Sequence, residues 1–556
     1  MHECPESAST QAEETREARF SRRGLLRTSL ASAAGTLLPS AFDLNGARTM
    51  AQSRASGPPD APTTYEGFVE RARALAAEPY RPAPEDLPQE LAALDYDAYQ
   101  RITFRPEKTI HLGRRFSLQP FHRGFLQRKR VDVVLQGPDG TARRLDYDSS
   151  LFDLGPALQG RSYPRSLGYA GFRLNTGFDA AKPDVQEEFL VFLGASYFRL
   201  RGRGQTYGLS ARGVAVNTFG PGSEEFPDFT AFRILEPSGD EATITVLALL
   251  DGPSLAGAYR FVVTPGETAH IAVTASLHPR REIARLGLAP LTSMFLHGQN
   301  GAGARGAEPF DDFRPQVHDS DGLAVETEGD RLWRPLVNGR PSTAISAFEA
   351  SPLKGFGLLQ RNRRFSDYLD VQARHEDRPG LWVRPEAGNG AFASGAVQLF
   401  EIPSSEEYTD NIVAAFVPSA KPAPGRAIEL AYGLTTVGAE PTPLLGGTPA
   451  RVVSTRIGSA ERLRPTNPPS PQRRLYVIDF EGDGLPSDPR AQVDVALSAS
   501  AGAFVDPFTE RVPQTGGWRL YAEYRPPNPL PAGDVVLRAR LSHAGRVITE
   551  TWDAVA

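Results

Sequence analysis

The chain is nearly devoid of cysteine: one residue in 556, Cys4. With a single thiol at the extreme N-terminus there is no disulfide framework, no cysteine nucleophile in the body of the chain and no thiolate ligand set. A basic stripe or block is also missing, and the formal net charge is only −5, which argues against nucleic acid and anionic membrane as partners. No apolar run beyond the first fifty residues is long enough to span a bilayer, so stable membrane insertion is not expected. There is no phosphate-binding loop, nucleophile elbow or EF-hand loop. His270, His278, His297, His318 and His375 are scattered without an i, i+4 ligand pair, so neither a metal nor another cofactor is expected.

Long amphipathic helical patterns are scarce too, whereas glycine and proline are abundant, at 52 and 48 residues. That balance favours short strands joined by turns. Thr64, with Phe68, Ala72 and Leu75 at helical spacing, predicts one N-capped helix, and a short second helix is expected from Pro88. From Ile102 onward the pattern is almost continuously β. Val131–Leu135 and Ala142–Tyr147 flank the turn Gly137-Pro-Asp-Gly140, and Ala242–Leu250, Tyr259–Val263 and His270–Leu277 follow at short intervals. Five further strands are expected at Leu475–Phe480, Val493–Leu497, Trp518–Tyr524, Val535–Leu541 and Val547–Trp552. The Pro/Gly-rich stretch from Gly438 to Pro471 cannot continue a central strand. The reading is an all-β chain: a large β-sandwich over residues 60–437, a linker at 438–450 and a small immunoglobulin-like sandwich over 451–556.

Residues 1–50 read as a targeting segment. Ser21-Arg22-Arg23 precedes a mildly apolar stretch to Phe42, the layout of a twin-arginine export signal, with cleavage expected between Ala41 and Ala55. The alternative is a basic tail with a chance arginine pair. Export makes the periplasm the expected compartment.

Three polar segments stand out as candidates for chemistry. In Arg314–Gly322, His318, Asp319 and Asp321 crowd before a glycine; an isolated Asp there accepts a proton, while the alternative is a turn bonded to its own backbone. In Glu401–Ala414, Asp410 immediately precedes the run from Ile412, a strand mouth suited to a general acid, or else a solvated loop. Gly355–Phe365, Asp367–Asp370 and Arg378–Trp382 combine arginine forks with aromatic faces, as sugars require; the alternative is an ion-pair network with Trp382 and Phe365 in the core.

These segments, in order along the chain, resemble the periplasmic glucan biosynthesis family (OpgG/OpgD, also MdoG/MdoD). The likeness spans Tyr65 to Trp552 and is carried by Leu193–Arg199, Tyr207–Gly213, Glu224–Pro227, Ala289–Phe295, His318–Ser320, Trp333–Leu336, Gly355–Arg361 and Asp410–Val413. The arginine-pair signal is more similar to the D-type members. The resemblance implies a galactose mutarotase-like sandwich with a cleft, an immunoglobulin-like second domain, and action on a β-1,2-glucan backbone by inverting cleavage or transfer. It implies Asp410 as general acid, Asp319 as the group receiving the attacking water's proton, and Glu407 as a further acid of the cleft. His375, Arg361, Arg363, Tyr197, Trp333, Trp382 and His318 are the expected substrate-contacting set. One departure stands at His375, where family members carry tyrosine before an acidic residue and Arg-Pro. The expected partners are β-glucan and a membrane glucan synthase; the alternative to an enzyme is a non-catalytic glucan-binding assembly factor.

Overall fold

The computed structural model describes residues 62–556 except 85, 179–184, 221–222, 301–311, 439–449, 463–471 and 532. The arginine-pair segment and most of the expected linker lie outside the described residues.

Strand accounts for 45% and helix for 10%, and the chain is an all-β sandwich. Thr64 caps the helix Tyr65–Ala77 by accepting from the Gly67 amide at 3.2 Å, and the helix lays Phe68 and Ala72 against Leu247, Leu249, Ala256 and Ala258. The helix expected after Pro88 divides into two short ones, Gln89–Ala92 and Tyr96–Gln100, the second capped by Asp95.

Among the described residues the strands assemble into two large sheets, of 11 and 15 strands, and smaller ones. One runs centrally through Leu286–Ser293, Ile412–Pro418 and Gly395–Glu401; the other through Ile244–Asp251, Leu255–Thr264, His270–Pro279 and Ile428–Val437. Their inner faces meet in one core, where Leu288, Leu291 and Phe416 are buried with Tyr259, Ile271 and Val273. Alternation of apolar residues along these strands is what drives them together, since each buried side chain of this size contributes roughly 1.5–3 kcal/mol of transfer free energy.

Residues 451–555 form a small two-layer sandwich. Arg451–Ser459, Arg474–Glu481, Trp518–Arg525 and Ala503–Arg511 make one layer; Asp494–Ala499, Val536–His543 and Thr551–Val555 make the other. The second layer is continuous with the larger sandwich. Thr551–Val555 pairs in parallel with Arg331–Pro335, bringing Trp333 opposite Trp552. Their shared core joins Tyr476, Phe480, Trp518 and Trp552 to Ala324, Trp333, Leu359 and Trp382. Gly322 is required at this junction: a Cβ there would lie 2.1 Å from the Trp333 ring.

Candidate functional site

The site is organised around three consecutive residues, Ser293, Met294 and Phe295, where the strand Leu286–Ser293 ends. On one side the Asn411 amide donates to the Ser293 carbonyl at 3.1 Å, and the Asn411 side chain clamps Phe295 by accepting from its amide at 2.8 Å and donating to its carbonyl at 2.9 Å. On the other side the Asp319 amide donates to the Met294 carbonyl at 2.9 Å, and the Ser293 hydroxyl bonds that of Ser320 at 2.8 Å. Asp410, next to Asn411, and Asp319 are therefore fixed to opposite flanks of one short segment, although 91 positions separate them in sequence.

Asp319 has no solvent exposure. Its Oδ1 accepts from Arg378 Nη1 and lies 3.5 Å from His375 Nδ1. The remaining Arg378 donors hold the Ala373 carbonyl, Nε at 3.0 Å and Nη2 at 2.9 Å. Burial lowers the Arg378 pKa to about 10, opposed by Asp370 and Glu407, so it remains cationic at neutral pH. His318 ends the short strand Val317–His318 that leads into Asp319. The His318 ring stacks on Phe295 at 5.2 Å and bonds Gln360 at 2.8 Å, with Gln316 Oε1 3.0 Å from its Nε2. The Gln360 amide nitrogen faces the carbonyls of His318 and His375, so its oxygen accepts from His318 Nδ1 and selects that tautomer. Burial pulls the His318 pKa down to about 3, and the ring is neutral.

Asp410 is half-buried. Its charge acts on Tyr197 and on Arg199, which also feels Arg378. The Arg199 Nε donates to the Ser210 hydroxyl at 2.8 Å. Burial raises the Tyr197 pKa, Arg212 opposes this, and Asp410 and Glu224 add to it. The Arg212 guanidinium lies over Tyr197 at 5.2 Å and over the exposed Phe226 ring at 4.9 Å. Glu407 pairs with Arg314 at 2.7 Å, and Arg314 also holds Asp312 and Asp370 at 2.7 and 2.8 Å. Among the described residues no group of His, Cys, Asp and Glu has the arrangement of a metal site.

Of the expected residues, Asp319, Asp410, Glu407, His375 and Tyr197 come together here. Five others are engaged chiefly by the protein's own groups. Trp333 and Trp382 are buried in the core at the junction of the two sandwiches. Arg361 directs its guanidinium to Glu550 and the Val452 carbonyl, lying 3.6 Å above the Trp333 ring. Arg363 donates to the carbonyls of Glu376, Arg378 and Val437, bracing the turn that carries Arg378. His318 is wholly buried. Arg378, Arg199 and Arg314 were not in the expected set; each lies in or beside a segment rich in charge, but only the fold discloses its partner.

Carboxylates, guanidinium groups and partly exposed aromatic faces thus lie on one β-sandwich. The family model described as periplasmic glucan biosynthesis protein, MdoG, matches residues 64–555. Glucans biosynthesis protein G of Shewanella frigidimarina (strain NCIMB 400) is 42% identical over 87% of this chain and 83% of its own. The G protein of Rhodopseudomonas palustris (strain BisA53) is 40% identical over 94% and 97%, and the D protein of Xanthomonas oryzae pv. oryzae (strain PXO99A) 38% over 96% and 97%. The chain belongs to the periplasmic glucan biosynthesis family, and its role lies in making periplasmic glucan. No helix among the described residues is long and apolar enough to cross a membrane.

Proposed function

We propose that the protein cleaves or transfers a β-1,2-linked glucan backbone with inversion. Asp410 protonates the leaving glycosidic oxygen as the C–O bond breaks. Water forms the new bond from the opposite face of the sugar, or a sugar hydroxyl does so in transfer, and the proton it releases ends on Asp319. Because Asp319 is fully buried, that proton reaches it by relay, and His375 stands at the inner end. Arg378 keeps Asp319 in its charged, accepting form. Tyr197 and Glu407 border the sugar. A membrane glucan synthase is the expected source of the chain acted on.

What carries this reading is the attachment of Asp319 and the Asp410–Asn411 pair to opposite flanks of Ser293–Phe295. Incubation of the protein with linear β-1,2-glucan, followed by product size and anomeric form, tests it. Asp410→Asn should lower cleavage by at least about 100-fold, within the range typical of general acid catalysis, while folding and glucan binding persist. Asp319→Asn should be similarly severe. A wild-type protein that binds the glucan but never shortens or transfers it would make the assembly-factor role the correct one; wild-type turnover by Asp410→Asn would refute the acid.

A further inference from the structure

Glu550 lies in the small sandwich, yet one side chain connects it to the segment that bears Asp319. It is buried, and its Oε1 accepts from Arg361 Nη1 at 2.5 Å and from the Val452 amide at 2.7 Å, while Oε2 accepts from Arg361 Nη2 at 3.2 Å. Arg361 is gripped at its other end as well. Its backbone amide and that of Asn362 both donate to Asp321 Oδ2 at 2.9 Å. Asp321 is two residues beyond Asp319; its own amide donates to the Leu359 carbonyl at 2.9 Å and its carbonyl accepts from Leu336 at 3.0 Å. The guanidinium is further confined over Trp333, whose strand pairs with the strand beginning immediately after Glu550. A fork bound at both carboxylate oxygens leaves Arg361 little freedom to rotate, so its backbone, and with it Asp321, is held in one place.

We propose that Glu550 is a positioning residue for Asp319, acting through Arg361 and Asp321, so that the small sandwich sets the geometry of the proton acceptor. As a statement about catalysis this rests on the enzyme reading above; as a statement about coupling it does not. A second tie between the same two sandwiches supplies the control: Arg340 pairs with Asp534 at 2.6 Å and makes no contact with Asp321.

The test compares full-length Glu550→Gln with Asp534→Asn. Amide hydrogen exchange across residues 317–322 should run at least about tenfold faster in Glu550→Gln and stay unchanged in Asp534→Asn. On β-1,2-glucan, kcat should fall about 10- to 100-fold in Glu550→Gln with KM little changed, the signature of misplacement rather than lost binding. Arg361→Lys, which keeps the charge but loses the fork, should do the same and serves where Glu550→Gln fails to fold. Equal exchange in the two variants, or none accelerated, would overturn the coupling. Accelerated exchange with normal kcat would overturn the positioning role. A wild-type protein inert on glucan sinks the enzyme reading, while the exchange data still decide the coupling.

Discussion

Arg378 and Asp319 bond to each other where both are shut off from water, with side-chain exposures of 2% and 0%. A buried carboxylate survives as an anion only beside such a partner. Arg378→Met should therefore leave a carboxyl that favours its neutral form, and glucan turnover at neutral pH should drop by about 100-fold or more. Because the acid is then ionised only at higher pH, the acidic limb of the pH–rate profile should move upward. Removing one partner of a buried pair also typically costs about 3–5 kcal/mol, so the urea midpoint should fall with it. An unmoved acidic limb would count against Arg378 as the group that keeps Asp319 charged.

His375 packs on Tyr368 at 5.5 Å and faces Asp319. His375→Tyr, introducing the residue that the resemblance leads one to expect, should leave hydrolysis equal or faster and reduce the share of transfer products. Chromatography of the products against time reads both; a fall in hydrolysis would show that this chain works better with His375 than with tyrosine.

His318 and His122 are held neutral, burial lowering their pKa values to about 3 and about 4 from an ordinary 6.5. Between those values the unfolded chain takes up protons that the fold refuses, so their contribution is complete above about pH 6.5 and declines as pH falls toward 3 or 4. His318→Gln should be less stable at pH 7, through lost packing on Phe295, but its stability should change less between pH 7 and pH 4. Urea midpoints at a series of pH values measure this; parallel curves for the two proteins would refute it.

A domain boundary within 438–471 predicts that a protease nicks the native chain there, rather than within 242–277. The two pieces should remain together, because Arg334–Asp553, Arg361–Glu550 and the Trp333–Trp552 pairing cross the junction. Two bands on a denaturing gel with one peak in native gel filtration is the expected result, and two separating peaks would contradict it.

Arg22 and Arg23 lead to the prediction of export by the twin-arginine route. Replacing both with lysine should trap precursor in the cytoplasm. Fractionation decides the matter, and an unchanged periplasmic yield would dispose of the route.

Much of the fold was readable from alternation and turns. The strands Ile244–Asp251, Leu255–Thr264 and His270–Pro279 lie where apolar residues recur every second position between Pro/Gly turns. Arg451–Ser459 and Ala503–Arg511 went unrecognised because their burial is uneven and their polar content high. At the site, Asp319 and Asp410 emerged from resemblance, since a carboxylate beside a strand looks alike in a loop and in a catalytic centre. The fate of Trp333, Trp382 and Arg361 was illegible for a different reason. An aromatic ring and a guanidinium suit a sugar and a buried interface equally, and only long-range pairing with residues near 550 decides which they meet.

That pairing also sets an order of events. The strand completing the shared sheet, Thr551–Val555, comes far later in the chain than its neighbour, Arg331–Pro335, which waits for it with one edge open. A nascent chain halted before residue 550 keeps Trp333 without its cover and Arg361 without its acid. Synthesis through Thr551–Val555 thus becomes a condition for burying the junction, and a product truncated before that strand carries an exposed sheet edge by which proteases and chaperones can recognise it.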